Sequence, residues 1–269
     1  MQPALETYLS RAYWRDLATA FPKAALASCK DLGAPGLYLA TCVFVLRRLP
    51  WPLQPHPLIR LTNWNEATNY LDNFILGELR LDEPEQLLAQ SEGEVIEVGV
   101  NVGITTRWWL TLNPALSVIG VDMMREALDF TTRRVSELGH QARWQGVEGA
   151  VGDAEGRMTI HFDDPLEGTN SVDHVGGSQQ REVEVNTLDA YLSRATMNHP
   201  ILMKVDIEGH AAAALRGASS VLQRLRWVVV ETHDPEELAQ SAALLTDAGF
   251  LLRHFHGRTM WWKKREVPS

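Results

Sequence analysis

Three charged side chains alternate at the end of an apolar segment, and their types and spacing suit proton chemistry. The segment 201–205 has the composition of a buried strand, and Lys204, Asp206 and Glu208 lie along its end and exit. Ligands of open α/β sheets bind outside the carboxyl ends of the strands, so these side chains are expected to converge there. A carboxylate at that edge can accept the proton of a hydroxyl group. We predict Glu208 as the base, with Asp206 as a structural or ligand-holding partner.

A histidine follows the next apolar strand and is expected at the same edge. His233 lies just beyond the strand 227–230, and the ordinary pKa of an imidazole suits proton transfer near neutral pH. The alternative is a capping or surface residue. Lys204 is either a catalytic group or the partner of Asp206 in a buried ion pair. Asp206, Glu231 and His233 also offer oxygen and imidazole ligands for a divalent ion, although we expect no metal here.

A loop of small residues follows an earlier apolar strand and leads into a helix. Its pattern, E-x-G-x-N-x-G, comprises Glu97, Gly99, Asn101 and Gly103, with Thr105 in the helix start. Small residues let the backbone approach a ligand closely, and the free N–H groups of a helix start favour a carboxylate. Dinucleotide-binding loops prefer G-x-G-x-x-G, and an acid before the first glycine suits an ammonium group but repels a pyrophosphate. The loop therefore favours S-adenosylmethionine over NAD, with a structural glycine turn as the alternative.

Two further aspartates are candidates for cofactor contacts. Asp122 ends the second strand, about 20 residues after the glycine loop, where an acid can accept both ribose hydroxyls; its alternative is a helix cap. Asp153 follows the third strand and either approaches the adenine edge or belongs to the turn 153–156. The predicted cofactor-binding residues are Glu97, Gly99, Asn101, Gly103, Thr105, Asp122 and Asp153.

These side chains require a scaffold of alternating strands and helices. Apolar segments typical of buried strands recur after residue 92, and most are separated by helical segments. The predicted strands span residues 94–98, 117–121, 142–151, 201–205, 227–230, 251–256 and 259–262, with a hairpin inserted at 158–162 and 182–185. The predicted helices include 103–112, 125–138 and 210–223. Asp234 and Glu237 have the spacing of a capping box before a further helix that ends at Gly249. The pattern predicts an α/β, Rossmann-like fold of the class I methyltransferase type. Its mostly parallel seven-stranded sheet is covered on both faces and has an antiparallel edge strand.

The first 91 residues differ and predict a helical N-terminal extension, with the S-adenosylmethionine-binding domain at 92–269. Helical patterns cover 4–20, 36–48, 64–79 and 84–91. Asn63 and Glu66 have the spacing of a capping box at the start of the third helix. The apolar run 37–46 is about half the length that spans a bilayer. A buried helix is favoured, and a helix on a membrane surface is the alternative.

Composition limits the expected partners. The chain has 269 residues, of which 45% are apolar and 22% charged, and this suits a protein with a buried core. A net charge of −9 provides no general attraction to phosphate, so a nucleic-acid partner is not expected. Cys29 and Cys42 lack metal-ligand spacing, and the start of the chain lacks the layout of a signal peptide. We expect a cytoplasmic protein with a small-molecule acceptor, and leave its oligomeric state open.

Several segments together resemble the FkbM-type methyltransferases. The matching segments are VIEVGVNVG at 95–103, VNTLD at 185–189, MKVDIEG at 203–209, the segment 213–218 and VVE at 229–231. The family usually has Asp where Glu97 stands, Ala where Val100 stands, and often Glu-Pro where this chain has Asp122-Met123. The resemblance covers roughly 92–235 and implies methyl transfer from S-adenosylmethionine. The usual acceptor is a hydroxyl oxygen on a sugar, a lipid-linked molecule or a natural product.

Other interpretations compete with an O-methyltransferase. One is a nicotinamide-dependent oxidoreductase, which the loop spacing disfavours, and another is a binding or scaffold protein without catalysis. Nucleic-acid methylation is disfavoured by the net charge. Residues 169–171, Thr-Asn-Ser, either contact substrate or form a polar turn. The tryptophan pairs 108–109 and 261–262 line an apolar acceptor pocket or belong to the core.

Overall fold

The computed structural model of the protein describes residues 11–56, 59–166, 177–193, 195 and 197–266. The chain forms two compact units, the first ending at Arg80 and the second beginning at Leu81. The predicted substrate contact at 169–171 and the beginning of the predicted first helix lie outside the described residues. Each unit is described by itself below.

Helices dominate the described part of the first unit. Its elements are α1 (Arg11–Thr19), α2 (Phe21–Leu32), α3 (Ala34–Thr41), the short antiparallel pair β1 (Leu53–His56) and β2 (Ile59–Leu61), and α4 (Trp64–Tyr70). The π-helical segments Cys42–Leu46 and Leu71–Ile75 continue α3 and α4. The predicted cap at Asn63 is confirmed, because its Oδ1 accepts a hydrogen bond of 2.9 Å from the Glu66 backbone N–H. In the apolar run, Leu39 and Cys42 are fully buried. Within the described residues, no helix is long and apolar enough to cross a bilayer.

The second unit alternates strands and helices as the sequence predicts. Its elements are α5 (Asp82–Gln90), β3 (Gly93–Val98), α6 (Ile104–Leu112), β4 (Leu116–Asp122), α7 (Arg125–Glu137), β5 (Trp144–Glu148), β6 (Ala150–Gly152), β7 (Gly156–Phe162), β8 (Gln179–Thr187), α8 (Leu188–Ser193), β9 (Pro200–Val205), α9 (Ala211–Arg216), α10 (Ser219–Arg224), β10 (Trp227–Glu231), α11 (Pro235–Asp247), β11 (Phe250–His256) and β12 (Thr259–Lys264).

Seven of these strands form one sheet in the order β11-β12-β10-β9-β3-β4-β5. β9, β3, β4, β5 and β10 are parallel, and β12 runs antiparallel to both of its neighbours, β10 and the edge strand β11. Every residue of β9 is buried, as expected for a strand covered on both faces. The predicted Rossmann-like fold, with a mostly parallel sheet and an antiparallel pairing at one edge, is confirmed.

Two predicted elements are each divided in the structure. The predicted strand 142–151 becomes β5 in the large sheet and β6 in a separate three-stranded sheet of order β6-β8-β7. The break falls at Gly149, whose φ of +152° suits glycine and where a Cβ would collide with the Tyr191 side chain. The predicted helix 210–223 is divided into α9 and α10 near Gly217, where a Cβ would collide with the Gly152 carbonyl. Asp189 then caps α10 by accepting hydrogen bonds from two of its backbone N–H groups.

The tryptophans of the pairs 108–109 and 261–262 belong mostly to the core. Trp109, Trp261 and Trp262 are 2%, 1% and 4% exposed. The core interpretation therefore holds for these three, because they are closed off from solvent. The inserted hairpin packs a separate apolar cluster, which includes Ile160 and Phe162, beside Met124.

Candidate active site

The loop between β3 and α6 has the backbone that its small residues predict. Gly99, Asn101 and Gly103 have φ angles of 85°, 50° and 62°, so every second residue of the loop is left-handed. Glycine is required at position 99, where a Cβ would collide with the Asp206 carbonyl oxygen, and at position 103, where it would collide with Thr131. The loop therefore lies directly against the exit of β9, which brings the two predicted sites together.

A buried arginine fastens this loop to the first turn of α6. Arg107 is 2% exposed, and its guanidinium donates to the carbonyl oxygens of Gly103 at 3.1 Å and Val102 at 3.3 Å. The sequence interpretation missed Arg107, although its place one helical turn after the last loop glycine is a usable signal. The arginine therefore stabilises the loop through hydrogen bonds to its backbone carbonyl oxygens.

Asp122 joins the end of β4 to the same loop. Its Oδ2 accepts the backbone N–H groups of Val100 and Asn101, each at 2.9 Å, and its Oδ1 accepts the N–H of Met124 at 2.8 Å. Burial raises the pKa of Asp122, and the three N–H groups oppose that rise. The carboxylate thus lies beside the predicted cofactor loop and also forms the local cap. Its ribose contact stays a prediction.

Glu97 is placed inside the unit rather than on the loop surface. It is fully buried, and its two carboxylate oxygens accept from the hydroxyl groups of Thr105 and Thr106. Burial raises the pKa of Glu97, while the Lys204 ammonium opposes that rise. Glu97 and Thr105 therefore connect β3 to α6, and their predicted direct contacts with the cofactor stay predictions.

The side chain of Asn101 supplies a group that fits a ligand. Its Oδ1 is buried and has no hydrogen-bond partner among the described residues. A buried acceptor without a donor costs free energy, so such groups are usually paired. An ammonium group is a suitable donor, and the N-terminal N–H groups of α6 suit a carboxylate. The loop therefore fits the amino-acid end of S-adenosylmethionine.

Asp153 lies at the surface, away from these contacts. Its carboxylate forms an ion pair of 3.1 Å with Arg216 of α9, and both side chains are largely exposed. This arrangement agrees with a turn residue, and contact with adenine stays a prediction.

Lys204 and Asp206 form the buried ion pair that was the alternative to a catalytic lysine. Lys204 Nζ lies 2.8 Å from Asp206 Oδ2, and the Lys204 side chain is only 6% exposed. Burial lowers the pKa of Lys204, but the carboxylates of Asp206 and Glu97 outweigh burial and leave that pKa raised. Lys204 is thus held as a cation, and the pKa of Asp206 is held well below its usual range.

Glu208 and His233 are brought into direct contact. His233 Nδ1 lies 2.9 Å from Glu208 Oε2, and His233 Nε2 lies 3.9 Å from Asp206 Oδ1. The carboxylates of Asp206 and then of Glu208 raise the pKa of His233 to about 10, although burial opposes this rise. The imidazole is therefore charged at neutral pH. It links the exits of β9 and β10, which the sequence placed at the same edge.

Glu237 lies at the predicted helix start but also makes a contact that the sequence interpretation missed. Asp234 caps α11 as predicted, since its Oδ1 accepts the N–H groups of Glu236 and Glu237. The Glu237 carboxylate, however, accepts the backbone N–H groups of His233 and Ala211, each at 2.7 Å. The capping-box spacing indicated a bond near the helix start. No short-range sequence pattern predicted the hydrogen bond from the Ala211 backbone.

Three side chains also meet a geometric requirement for a metal site. Asp206, Glu231 and His233 each offer one ligand atom, and these atoms lie within 4.8 Å of one another. The cations Lys204 and His233 lie among these carboxylates and offset part of their negative charge. The expectation that no metal is used stays a prediction.

The topology and the glycine loop define a class of protein. A Rossmann-like sheet with β12 reversed beside its edge, and a left-handed loop that fits an amino-acid cofactor, is the arrangement of S-adenosylmethionine-dependent methyltransferases. The model of the methyltransferase FkbM domain matches residues 83–255, well over half of the chain. The chain belongs to this family, and the protein is an S-adenosylmethionine-dependent methyltransferase. The family membership leaves the oxidoreductase and scaffold interpretations without support.

Solved structures with similar chains include several methyltransferases. Precorrin-6y C5,15-methyltransferase from Geobacter metallireducens GS-15 is 10% identical, with 67% of this chain and 87% of that chain covered and a TM-score of 0.42. Fibrillarin from Aeropyrum pernix, solved with S-adenosyl-L-methionine, is 9% identical, with 70% and 71% covered and a TM-score of 0.43. TrmK from M. capricolum, solved with S-adenosyl-homocysteine, is 8% identical, with 68% and 67% covered and a TM-score of 0.38. No curated protein sequence matches the chain significantly.

Proposed function

We propose that the protein transfers the methyl group of S-adenosylmethionine to a hydroxyl oxygen of a small molecule, such as a sugar or a natural product. The observation that carries this proposal is the 2.9 Å contact between Glu208 and His233 beside the cofactor loop. A hydroxyl acceptor must lose a proton during methylation, and a carboxylate at this edge is placed to receive it. We therefore assign Glu208 and His233 to the deprotonation of the acceptor hydroxyl.

The cofactor region supplies binding and orientation. We define it as residues 97–107 together with Asp122. When bound, S-adenosylmethionine supplies a methyl group on a positively charged sulfur, which an oxygen can attack directly. Asn101 Oδ1 and the N–H groups at the start of α6 would hold its amino-acid end, and Asp122 its ribose. Correct alignment of the two reactants can supply most of the rate gain.

The acid–histidine region, defined as residues 204–208 and 231–233, accepts the proton that the acceptor hydroxyl loses. Glu208 accepts the hydroxyl proton at its carboxylate, which lies 2.9 Å from the His233 imidazolium. An ionised carboxylate is a weak base. It is sufficient here because a hydroxyl proton becomes strongly acidic as the new carbon–oxygen bond forms. Asp206, which is paired with Lys204, faces Nε2 of the imidazole at 3.9 Å and need not exchange a proton itself.

Charge supports a small acceptor over a nucleic acid. Asp206, Glu208 and Glu231 all lie at the exits of β9 and β10, and the whole chain has a net charge of −9. Carboxylates close to the reacting group repel the phosphates of a polynucleotide. A neutral polyhydroxyl compound carries no such penalty, and its hydroxyl groups can donate hydrogen bonds to these carboxylates.

A methyl-transfer screen tests the proposed acceptor class. The purified protein is first titrated with S-adenosylmethionine and separately with NAD by calorimetry, and then incubated with labelled S-adenosylmethionine and separate pools of sugars, hydroxylated natural products, transfer RNA and protein. We expect saturable binding of S-adenosylmethionine alone and an alkali-stable ether methyl group in the sugar or natural-product pool. Label found only in RNA or protein would contradict the proposal.

A further inference from the structure

We propose that Glu237 is a positioning residue that sets the distance between the two exit loops carrying Glu208 and His233. This inference rests on the proposed function of that pair, but it concerns how the pair is held. Glu237 lies in the first turn of α11, so it belongs to neither exit loop. Its carboxylate nevertheless binds the backbone of both.

The contacts of Glu237 are those of a structural clamp. Oε2 accepts the backbone N–H of His233 and Oε1 accepts the backbone N–H of Ala211, both at 2.7 Å. The residue is 4% exposed. Short hydrogen bonds to a charged acceptor are about twice as strong as neutral ones, and burial shields them from water. The carboxylate thus fixes the backbone nitrogen of His233 and that of Ala211, the first residue of α9.

The position of these two N–H groups determines where the pair can meet. β9 and β10 are hydrogen-bonded partners only as far as Val205 and Val230. Beyond those residues the strands separate into two loops, one carrying Glu208 and the other His233. Glu237 connects the loops again at Ala211 and His233. A change in this spacing moves Glu208 away from the imidazole, because each side chain of the 2.9 Å contact is carried by a different loop.

Glutamine is the informative replacement at position 237. It has nearly the same size and shape, so it leaves the packing around α11 intact. Its amide has one carbonyl oxygen and one NH₂ group, which cannot accept a hydrogen bond. Glu237→Gln therefore retains at most one of the two bonds and turns a donor toward the other backbone N–H. The exposed neighbour offers a matched control, Glu236→Gln, in the same helical turn.

The first measurement uses the unmodified protein and NMR amide exchange. The amides of His233 and Ala211 lie at the start of a loop and of a helix, where no helical hydrogen bond protects them. We expect both to exchange slowly and to lose that protection together in Glu237→Gln, while Glu236→Gln leaves it in place. Fast exchange of both amides in the unmodified protein would overturn the proposal without any variant.

The second measurement is the NMR titration of the His233 imidazole. The charged groups that face it are Asp206, Glu208, Glu231 and Arg258. If Glu237 holds His233 against the carboxylates, Glu237→Gln should lower the His233 pKa by at least about one unit toward its ordinary value. Glu237→Ala should lower it at least as far. An unchanged His233 titration in folded Glu237→Gln would contradict the proposal.

Binding and turnover separate this inference from the proposed function. S-adenosylmethionine affinity should be unchanged in Glu237→Gln, since the cofactor region does not contact Glu237. With an acceptor from the screen, kcat should fall by about 10²-fold, the effect of misplacing a catalytic group by about 1 Å, with the KM for S-adenosylmethionine unchanged. Protected amides and a shifted titration without any hydroxyl methylation would support the clamp and reject the proposed acceptor chemistry. Unchanged kcat would reject the clamp alone.

Discussion

At the ends of β3 and β4 the carboxylates accept hydrogen bonds from hydroxyl and backbone N–H groups, whereas at the ends of β9 and β10 they contact mainly charged side chains. Glu97 accepts from Thr105 and Thr106, and Asp122 accepts from three backbone N–H groups. Glu208 instead faces the His233 imidazole. Fixed donors suit a region that binds one cofactor in one orientation. Titratable partners suit a region through which a proton passes.

The largest expected difference between the regions is in turnover. Glu208→Gln removes the carboxylate but keeps its shape, so turnover should fall by about 10²–10⁴-fold, the usual contribution of a positioned base. Cofactor affinity should not change, because Glu208 lies in the other region. Initial rates and calorimetry measure the two quantities, with Glu236→Gln as the matched exposed control. Full activity of Glu208→Gln would remove Glu208 as the base.

The reverse pattern is expected at Asp122. Asp122→Ala leaves the N–H groups of Val100 and Asn101 without their shared acceptor, so the loop loses its shape and S-adenosylmethionine should bind about 10- to 100-fold more weakly. This range corresponds to one hydrogen bond to a charged group, about 1.5–3 kcal/mol. Calorimetry measures the affinity, and Asp129→Asn on the exposed side of α7 serves as the control. An unchanged affinity would mean that Asp122 neither shapes the loop nor binds the ribose.

Stability against pH separates the two regions next. The folded pKa of His233, about 10, lies above the ordinary value near 6.5, so its stabilising effect is fully present below pH 6.5 and is lost as pH rises to 10. The free energy of unfolding should fall by on the order of 2 kcal/mol between pH 7 and 10, since one pKa unit corresponds to 1.4 kcal/mol and solvent reduces the total. Urea unfolding measures it. His233→Gln should flatten the pH dependence of the free energy of unfolding, and the exposed control His254→Gln should retain it. Equal pH dependences in the two variants would show that His233 does not cause the loss of stability.

The smallest effect is expected at Asp153, outside both regions. Its ion pair with Arg216 is exposed, and such pairs contribute about 0–1 kcal/mol. Asp153→Asn should therefore unfold at nearly the same urea concentration as the unmodified protein. If Asp153 contacts adenine, the same variant should bind S-adenosylmethionine measurably more weakly, and calorimetry decides between a surface turn and a cofactor contact.

The features that could be predicted depend on neighbours in sequence. Strand and helix periodicity, the caps at Asn63 and Asp234, and the left-handed backbone at Gly99 and Gly103 follow from short-range sterics and backbone hydrogen bonding. The meeting of Glu208 and His233 also follows from a general property, because parallel strands end at one edge of a sheet. These rules, together with the family resemblance, were enough to predict the fold class, the cofactor and the meeting of Glu208 and His233 at one sheet edge.

The remaining features depend on contacts between distant parts of the chain. Gly149 divides a continuous apolar segment because the Tyr191 side chain occupies the space of a Cβ. Glu97 turns inward because its carboxylate accepts hydrogen bonds from two threonines of α6. The Glu237 carboxylate accepts the Ala211 backbone N–H only when β9 and β10 have paired. By itself, the sequence determined which residues were available at the sheet edge. The tertiary structure alone decided which of their oxygens were already bonded, because that depends on distances that close only when the whole unit has folded.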